Sequence, residues 1–216
     1  QGFATVLAGS TVTESEVGTA ADIQVLVDDY TALVDAAKTD TPASLDKDQY
    51  AALGITQPDD TVLSDDEASL LNEVMAEQSA DPVPTLTDLQ ALADTVSQVM
   101  RSVTNTPDPA LTKDKLLALG LTGVTDNNFN AVVDSIAAEG STSDVAALTD
   151  LQDAVDDGNT DYTTALTKIA TYADDVDDAR SAEDYRKAGV DLSALPLAAP
   201  GTAAPETAVN ELLADD

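Results

Sequence analysis

The sequence has no cysteine, no histidine and no tryptophan. Without cysteine there are no disulfides or thiolate nucleophiles, and without histidine no imidazole bases and none of the usual zinc or haem ligation. Aromatic residues make up only 3% of the chain, so flat platforms for stacking bases or sugar rings are scarce. Basic residues are equally few: 9 Lys and Arg stand against 41 Asp and Glu, a formal charge of −32. A nucleic-acid surface needs a basic patch that neutralises phosphates, and no stretch here supplies one. The same field opposes anionic lipid surfaces, and no apolar run approaches the length that spans a bilayer. No nucleic-acid partner and no membrane insertion are therefore expected. Residues 1–16 lack the basic start and long apolar run of a signal peptide.

What is present is an apolar fraction of 43% in 216 residues, too high for a disordered acidic tail. Much of it is alanine, which predicts several small helical cores built on Leu and Val rather than one aromatic, sheet-based core.

The strongest signal is internal repetition, which decides a fold before any local motif does. A triplet of acid, apolar residue and Gln recurs as Asp22-Ile23-Gln24, Asp88-Leu89-Gln90 and Asp150-Leu151-Gln152. A helix end follows each: Tyr50-Ala51-Ala52-Leu53-Gly54-Ile55, Leu116-Leu117-Ala118-Leu119-Gly120-Leu121 and Tyr185-Arg186-Lys187-Ala188-Gly189-Val190. Between these anchors Thr39-Asp40-Thr41-Pro42 matches Thr104-Asn105-Thr106-Pro107. The spacing of Ile23, Leu26, Tyr30, Leu33 and Ala37, and of Leu89, Leu92, Val96, Val99 and Val103, places each set on one helical stripe. Thr87 with Gln90 and Thr149 with Gln152 have capping-box spacing, as do Ser64 and Glu67. Gly54, Gly120 and Gly189 fit left-handed helix stops. A third helix carries Leu70, Leu71, Val74 and Met75, matched by Phe129, Val132, Val133 and Ile136 and by Val209, Leu212 and Leu213. Its start in the third copy is expected only after Pro205.

The chain is thus expected to be all-α, a tandem array of three small three-helix units at 17–83, 84–145 and 146–216. Residues 1–16 are a leader or the end of a preceding unit. Nearest-neighbour stacking of the units gives a rod. The third copy diverges: its first helix is expected to break at Asp156-Asp157-Gly158-Asn159-Thr160-Asp161, an inserted loop.

Catalysis without His or Cys rests on carboxylates, Lys, Ser, Thr or Tyr, and a carboxylate acid needs a desolvated pocket that small Ala-rich bundles seldom enclose. No phosphate-binding Gly-rich loop or Gly-x-Ser-x-Gly elbow occurs, so no catalytic residues are expected. No cofactor is required either, and Ca2+ is the one candidate. It takes hard oxygen ligands in irregular geometry, and two acidic stretches offer them: Asp156, Asp157, Asn159 and Asp161, and Asp174, Asp175, Asp177 and Asp178. Neither fits the EF-hand pattern, and the competing reading of both is a solvated acidic loop. Asp46 and Asp48 are better read as helix-start residues. The tyrosines, Tyr30, Tyr50, Tyr162, Tyr172 and Tyr185, read as core, since Tyr50 and Tyr185 hold the position of Leu116. Self-repulsion at the net charge of −32 suits a setting of high salt or divalent ions.

The repeats resemble the tandem helical repeats of long bacterial surface and secreted adhesin-like proteins. The resemblance is carried by Asp88-Leu89-Gln90-Ala91-Leu92-Ala93, by Leu119-Gly120-Leu121-Thr122-Gly123-Val124-Thr125 with Asn128-Phe129-Asn130-Ala131-Val132, and by Lys168-Ile169-Ala170-Thr171-Tyr172-Ala173. It covers most of residues 18–216. It implies an extracellular or cell-surface spacer, one of many copies, that holds an adhesive tip away from the cell, and it implies no catalytic residue. The partner expected is a protein or cell-surface molecule, or copies of the chain itself. The alternatives are a helical protein-binding module and a subunit of a self-associating filament.

Overall fold

The computed structural model describes residues 19–39, 41–78, 84–104, 108–171 and 180–192, with Thr207, Val209 and Asn210. Among these, every regular element is helical. The order is α1 (Ala20–Thr39), α2 (Lys47–Ala52), α3 (Asp65–Ala76), α4 (Leu86–Thr104), α5 (Lys113–Ala118), α6 (Phe129–Ala138), a 3-10 turn (Thr142–Val145), α7 (Leu148–Ala170) and α8 (Ala182–Lys187). The segments 1–18, 172–179, 193–206 and 211–216 lie outside the described residues, and with them Tyr172, Asp174, Asp175, Asp177, Asp178, Leu212 and Leu213.

Local chemistry starts these helices, with one shift from expectation. α4 is capped not by Thr87 and Gln90 but two residues earlier, by Thr85 and Asp88, and α1 begins with the equivalent Thr19 and Asp22. The Thr19 and Thr85 amides donate to Asp22 and Asp88, at 2.9 and 2.8 Å, and the amides of Asp22 and Asp88 donate back to the threonine hydroxyls, each at 3.2 Å. Asp at the third position closes the box as well as Gln does, which releases Gln90 for another task. Ser64 and Glu67 cap α3 as expected, and Asp46 caps α2. At the start of α7 the matching residue is Ala147, which has no side chain to offer. The carboxylate of Glu73, from α3, accepts the Leu148 amide there at 2.5 Å. A negative charge at that end also suits the helix dipole.

The stops are as expected. Gly54, Gly120 and Gly189 have φ of 80, 95 and 76°, where only glycine sits without strain. Gly189 also passes so close to Asn127 that a Cβ would lie 2.5 Å from its carbonyl oxygen.

The apolar stripes meet in one continuous core running from Leu26 to Val155. α3 packs on α1 and α4, α4 packs on α6, and α6 packs on α7, which in turn carries α8. The 3-10 turn wedges buried Val145 against α3, α4 and α7. Its Thr142 hydroxyl donates to Asp66 at 2.5 Å. α3 therefore reaches α7 directly, and packing is not confined to neighbours in sequence as a simple rod requires.

The expected inserted loop is absent, and α7 runs unbroken for 23 residues through Asp156–Asp161. The turn-like composition is overridden by packing. Gly158 faces α6 so closely that a Cβ would stand 2.5 Å from the Val132 Cα. The glycine costs about 1 kcal/mol of helix propensity, but the α6–α7 contact it permits is the most extensive among the described helices.

Two buried tyrosines carry a polar feature that the sequence reading missed. The Tyr50 hydroxyl donates to Asn72 Oδ1 at 2.9 Å, and Asn72 Nδ2 donates to the Leu45 carbonyl at 2.8 Å. The Tyr185 hydroxyl likewise donates to Asn210 Oδ1 at 2.5 Å, and Asn210 Nδ2 to the Arg180 carbonyl at 2.8 Å. Leu45 and Arg180 hold the same position in their copies, nine residues before the stop glycine. The middle copy has Leu116 where the others have Tyr, with no hydroxyl to pair. Tyr30, half-buried, donates to the Pro84 carbonyl at 2.8 Å.

Candidate functional site

The most distinctive site is built twice, by the Gln of the repeated triplet. Gln90, on α4, grips the main chain two residues past the first stop glycine. The Thr56 amide donates to Gln90 Oε1 at 3.1 Å, and Gln90 Nε2 donates to the Thr56 carbonyl at 2.7 Å. Gln152, on α7, does the same two residues past the next glycine. The Thr122 amide donates to its Oε1 at 2.9 Å, and its Nε2 donates to the Thr122 carbonyl at 3.2 Å. A primary amide matches one main-chain donor and acceptor in the way a strand neighbour does. Each clamp is steered by an acid one turn on: Gln90 Nε2 also donates to Asp94 at 2.6 Å, and Gln152 Nε2 to Asp156 at 3.0 Å.

Beside each clamp an apolar pair closes the joint. Ile55 and Leu89 are buried next to the first, Leu121 and Leu151 next to the second. Gln90→Ala is expected to cost about 1 to 2 kcal/mol, because the Thr56 main-chain groups lose a partner in a half-buried place, and Gln152→Ala less, because Thr122 is exposed and water replaces the amide. Urea denaturation followed by circular dichroism measures it, and an unchanged midpoint would show the clamps to be idle.

The four candidate calcium ligands among the described residues, Asp156, Asp157, Asn159 and Asp161, do not converge. Asp156 orients Gln152, and Asp157 is exposed. Asn159 Oδ1 accepts from Asn128 at 2.5 Å, and Asp161 is paired with Lys187 at 2.5 Å. Successive residues of a straight helix point in different directions, so a run that encircles an ion as a loop cannot do so here. Among the described residues no group of three or more acidic side chains is arranged to hold a metal.

A shallow groove of about 550 Å³ follows α7, between Asn159 and Arg180, lined chiefly by Thr160, Thr163, Thr164, Thr167 and Thr171. Several of these hydroxyls are turned back onto the helix: Thr163, Thr167 and Thr171 donate to the carbonyls four residues earlier at 2.8, 2.9 and 2.9 Å. The groove therefore presents methyl groups from these residues.

The carboxylates with perturbed ionisation do not line this groove, although Lys168 in its wall holds one of them, Asp184, at 3.0 Å. Burial pushes Asp134 up against the opposing pull of Arg186, with which it pairs. At the α8 start, burial opposes, but hydrogen bonds from Ser181 and the Lys168 ammonium prevail and hold Asp184 down at about 2. Asp29, on α1, is pushed up by burial, against the Gln49 hydrogen bond, with Asp28 and Asp46 adding repulsion. Its Oδ1 accepts from Gln49 at 2.7 Å, while its buried Oδ2 has no hydrogen-bond partner.

A raised folded-state value means that the Asp29 contribution favours folding in acid and is lost as pH rises through that value. Asp29→Asn is accordingly expected to raise the melting temperature at neutral pH, with the gain vanishing as pH falls below the ordinary carboxylate range. Thermal melts of both proteins across pH test this, and a pH-independent difference would refute it.

No family model matches the chain, and no curated protein and no solved structure is significantly similar to it. Among the described residues no helix is long and apolar enough to cross a membrane.

Proposed function

We propose that the chain is a structural spacer, a tandem array of three three-helix units forming a segment of a bacterial surface protein. The observation that carries this reading is the duplicated joint: Gln90 on Thr56 and Gln152 on Thr122 link equivalent places by equivalent bonds. Two features support it further. The core passes through the joints without a break, which resists bending between units. The perturbed carboxylates Asp29 and Asp134 stand apart from the groove along α7 and from each other, an arrangement that favours a mechanical role over acid–base chemistry. The acidic surface suits an environment where salt screens self-repulsion.

Small-angle scattering is expected to give a maximum dimension that stays constant from low salt to about 1 M NaCl. An envelope that contracts as salt is added would overturn the stiff spacer. An antibody against the chain is expected to label intact cells of the source bacterium, and labelling only after permeabilisation would overturn the surface placement.

A further inference from the structure

α8 is tied to its neighbours by charge. The continuous core runs from Leu26 to Val155, and the buried residues Ala165, Tyr185 and Ala188 lie outside it. Three ion pairs join α8 to the helices it packs on. Arg186 pairs with Asp134 on α6, Lys187 pairs with Asp161 on α7 at 2.5 Å, and Lys168 on α7 pairs with Asp184 at 3.0 Å. Glu183 steadies Arg186 from within α8, at 2.7 Å. Neutral contacts add to these: Asn130 Nδ2 donates to the Arg186 carbonyl at 3.2 Å, and Gly189 packs on Asn127. The two Gln clamps are of the other kind. Each joins an uncharged amide to main chain, beside apolar residues that belong to the core.

The distribution of charge points the same way. Of the 9 Lys and Arg in the chain, four, Lys168, Arg180, Arg186 and Lys187, fall between residues 168 and 187. In a chain of net charge −32 added salt relieves repulsion, which favours close packing wherever like charges oppose it. The α8 pairs are attractions, and each of their six side chains keeps at least 16% of its surface in water. Pairs so placed are weakened by screening.

We infer that α8 is an electrostatic latch, which loosens from α6 and α7 as ionic strength rises while the rest of the array tightens. The two responses have opposite signs within one molecule, so a uniform effect of salt on stability cannot imitate them. The latch stands whether or not the chain is a spacer, since all of its pairs lie within one copy.

Hydrogen exchange of the full chain, read by mass spectrometry at neutral pH in about 0.02 M and about 0.5 M NaCl, separates the two responses, because amide exchange reports local opening. Peptides spanning 182–188 are expected to exchange about fivefold faster in the higher salt. Peptides spanning 89–103 are expected to exchange at the same rate or more slowly. Arg186→Gln with Lys187→Gln removes two of the pairs, and in low salt its α8 is expected to exchange about fivefold faster than the wild type, with little further response to salt. Lys187→Asp with Asp161→Lys reverses one pair. It is expected to regain protection lost in Lys187→Asp alone and to keep the salt response, which separates a broken latch from an α8 that has merely unfolded.

Exchange at α8 that slows with salt, or does not change, overturns the latch, and so does an α8 already unprotected in low salt. A double Gln variant that keeps the wild-type salt response, or a reversed pair no better protected than Lys187→Asp, overturns it as well.

Discussion

Replacing Gly158 by Ala is expected to destabilise the chain by about 2 to 3 kcal/mol, the range of an overpacked core that cannot relax. The added Cβ would stand 2.5 Å from Val132 Cα, 2.9 Å from Val132 N and 3.0 Å from Ala131 O. All three are main-chain atoms of α6, so no rotamer change relieves the clash. The substitution tests two opposing effects. Propensity alone predicts a gain of about 1 kcal/mol, since Ala replaces Gly inside a helix. The sign of the change therefore decides whether packing against α6 governs this stretch. A thermal melt followed by circular dichroism measures it, with Thr163→Ala on the exposed side of the same helix as the control. A Gly158→Ala protein that melts at or above the wild type would refute the close α6–α7 approach and restore the break once expected there.

The second large effect concerns Asn72. Asn72→Leu conserves shape but removes an acceptor used by the Leu45 amide at 3.2 Å and by the Tyr50 hydroxyl at 2.9 Å, and the donor to the Leu45 carbonyl at 2.8 Å. Three buried groups lose this partner together, and the expected cost is about 3 kcal/mol or more. Tyr50→Phe alone is expected to cost about 1 kcal/mol, the usual worth of one buried hydrogen bond. Added to Asn72→Leu, however, Tyr50→Phe is expected to be neutral or stabilising, because the hydroxyl it deletes no longer has Asn72 as a partner. Urea titrations of the four proteins close the cycle. Additive losses would mean that the pair does not act as a unit.

Much of the fold was legible because it is written locally. The stop glycines, the Ser64–Glu67 box and the stripe from Leu89 to Val103 are each decided within one or two helical turns. Two errors share another origin. Gly158 sits among Asp, Asn and Thr, a composition that favours turns, and only the α6 backbone lying against it explains why the helix continues. Gln90 and Gln152 stand at capping spacing, but Asp88 already fills that role at α4 and Glu73 supplies the cap at α7. Their partners, Thr56 and Thr122, are 34 and 30 residues away. The clamp was nonetheless signalled: Gln recurs in all three triplets, a stricter identity than a helix face demands. The Tyr–Asn pair was signalled more faintly, by an Asn following Tyr in the outer copies where the middle copy has Leu116.

Each clamp holds its residue through the main chain, and only at Thr122 does a side chain add a bond, the hydroxyl donating to Gln152 Oε1 at 3.3 Å. A joint of that kind places little demand on the side chain it grips, so the gripped position has room to drift. What must persist is one amide-bearing side chain, one glycine and an apolar residue behind each. A chain lengthened by copying such a unit inherits a working connection at every new seam, without a matching change on the other side. Growth by duplication, with divergence everywhere except at the seams, is the history this construction favours.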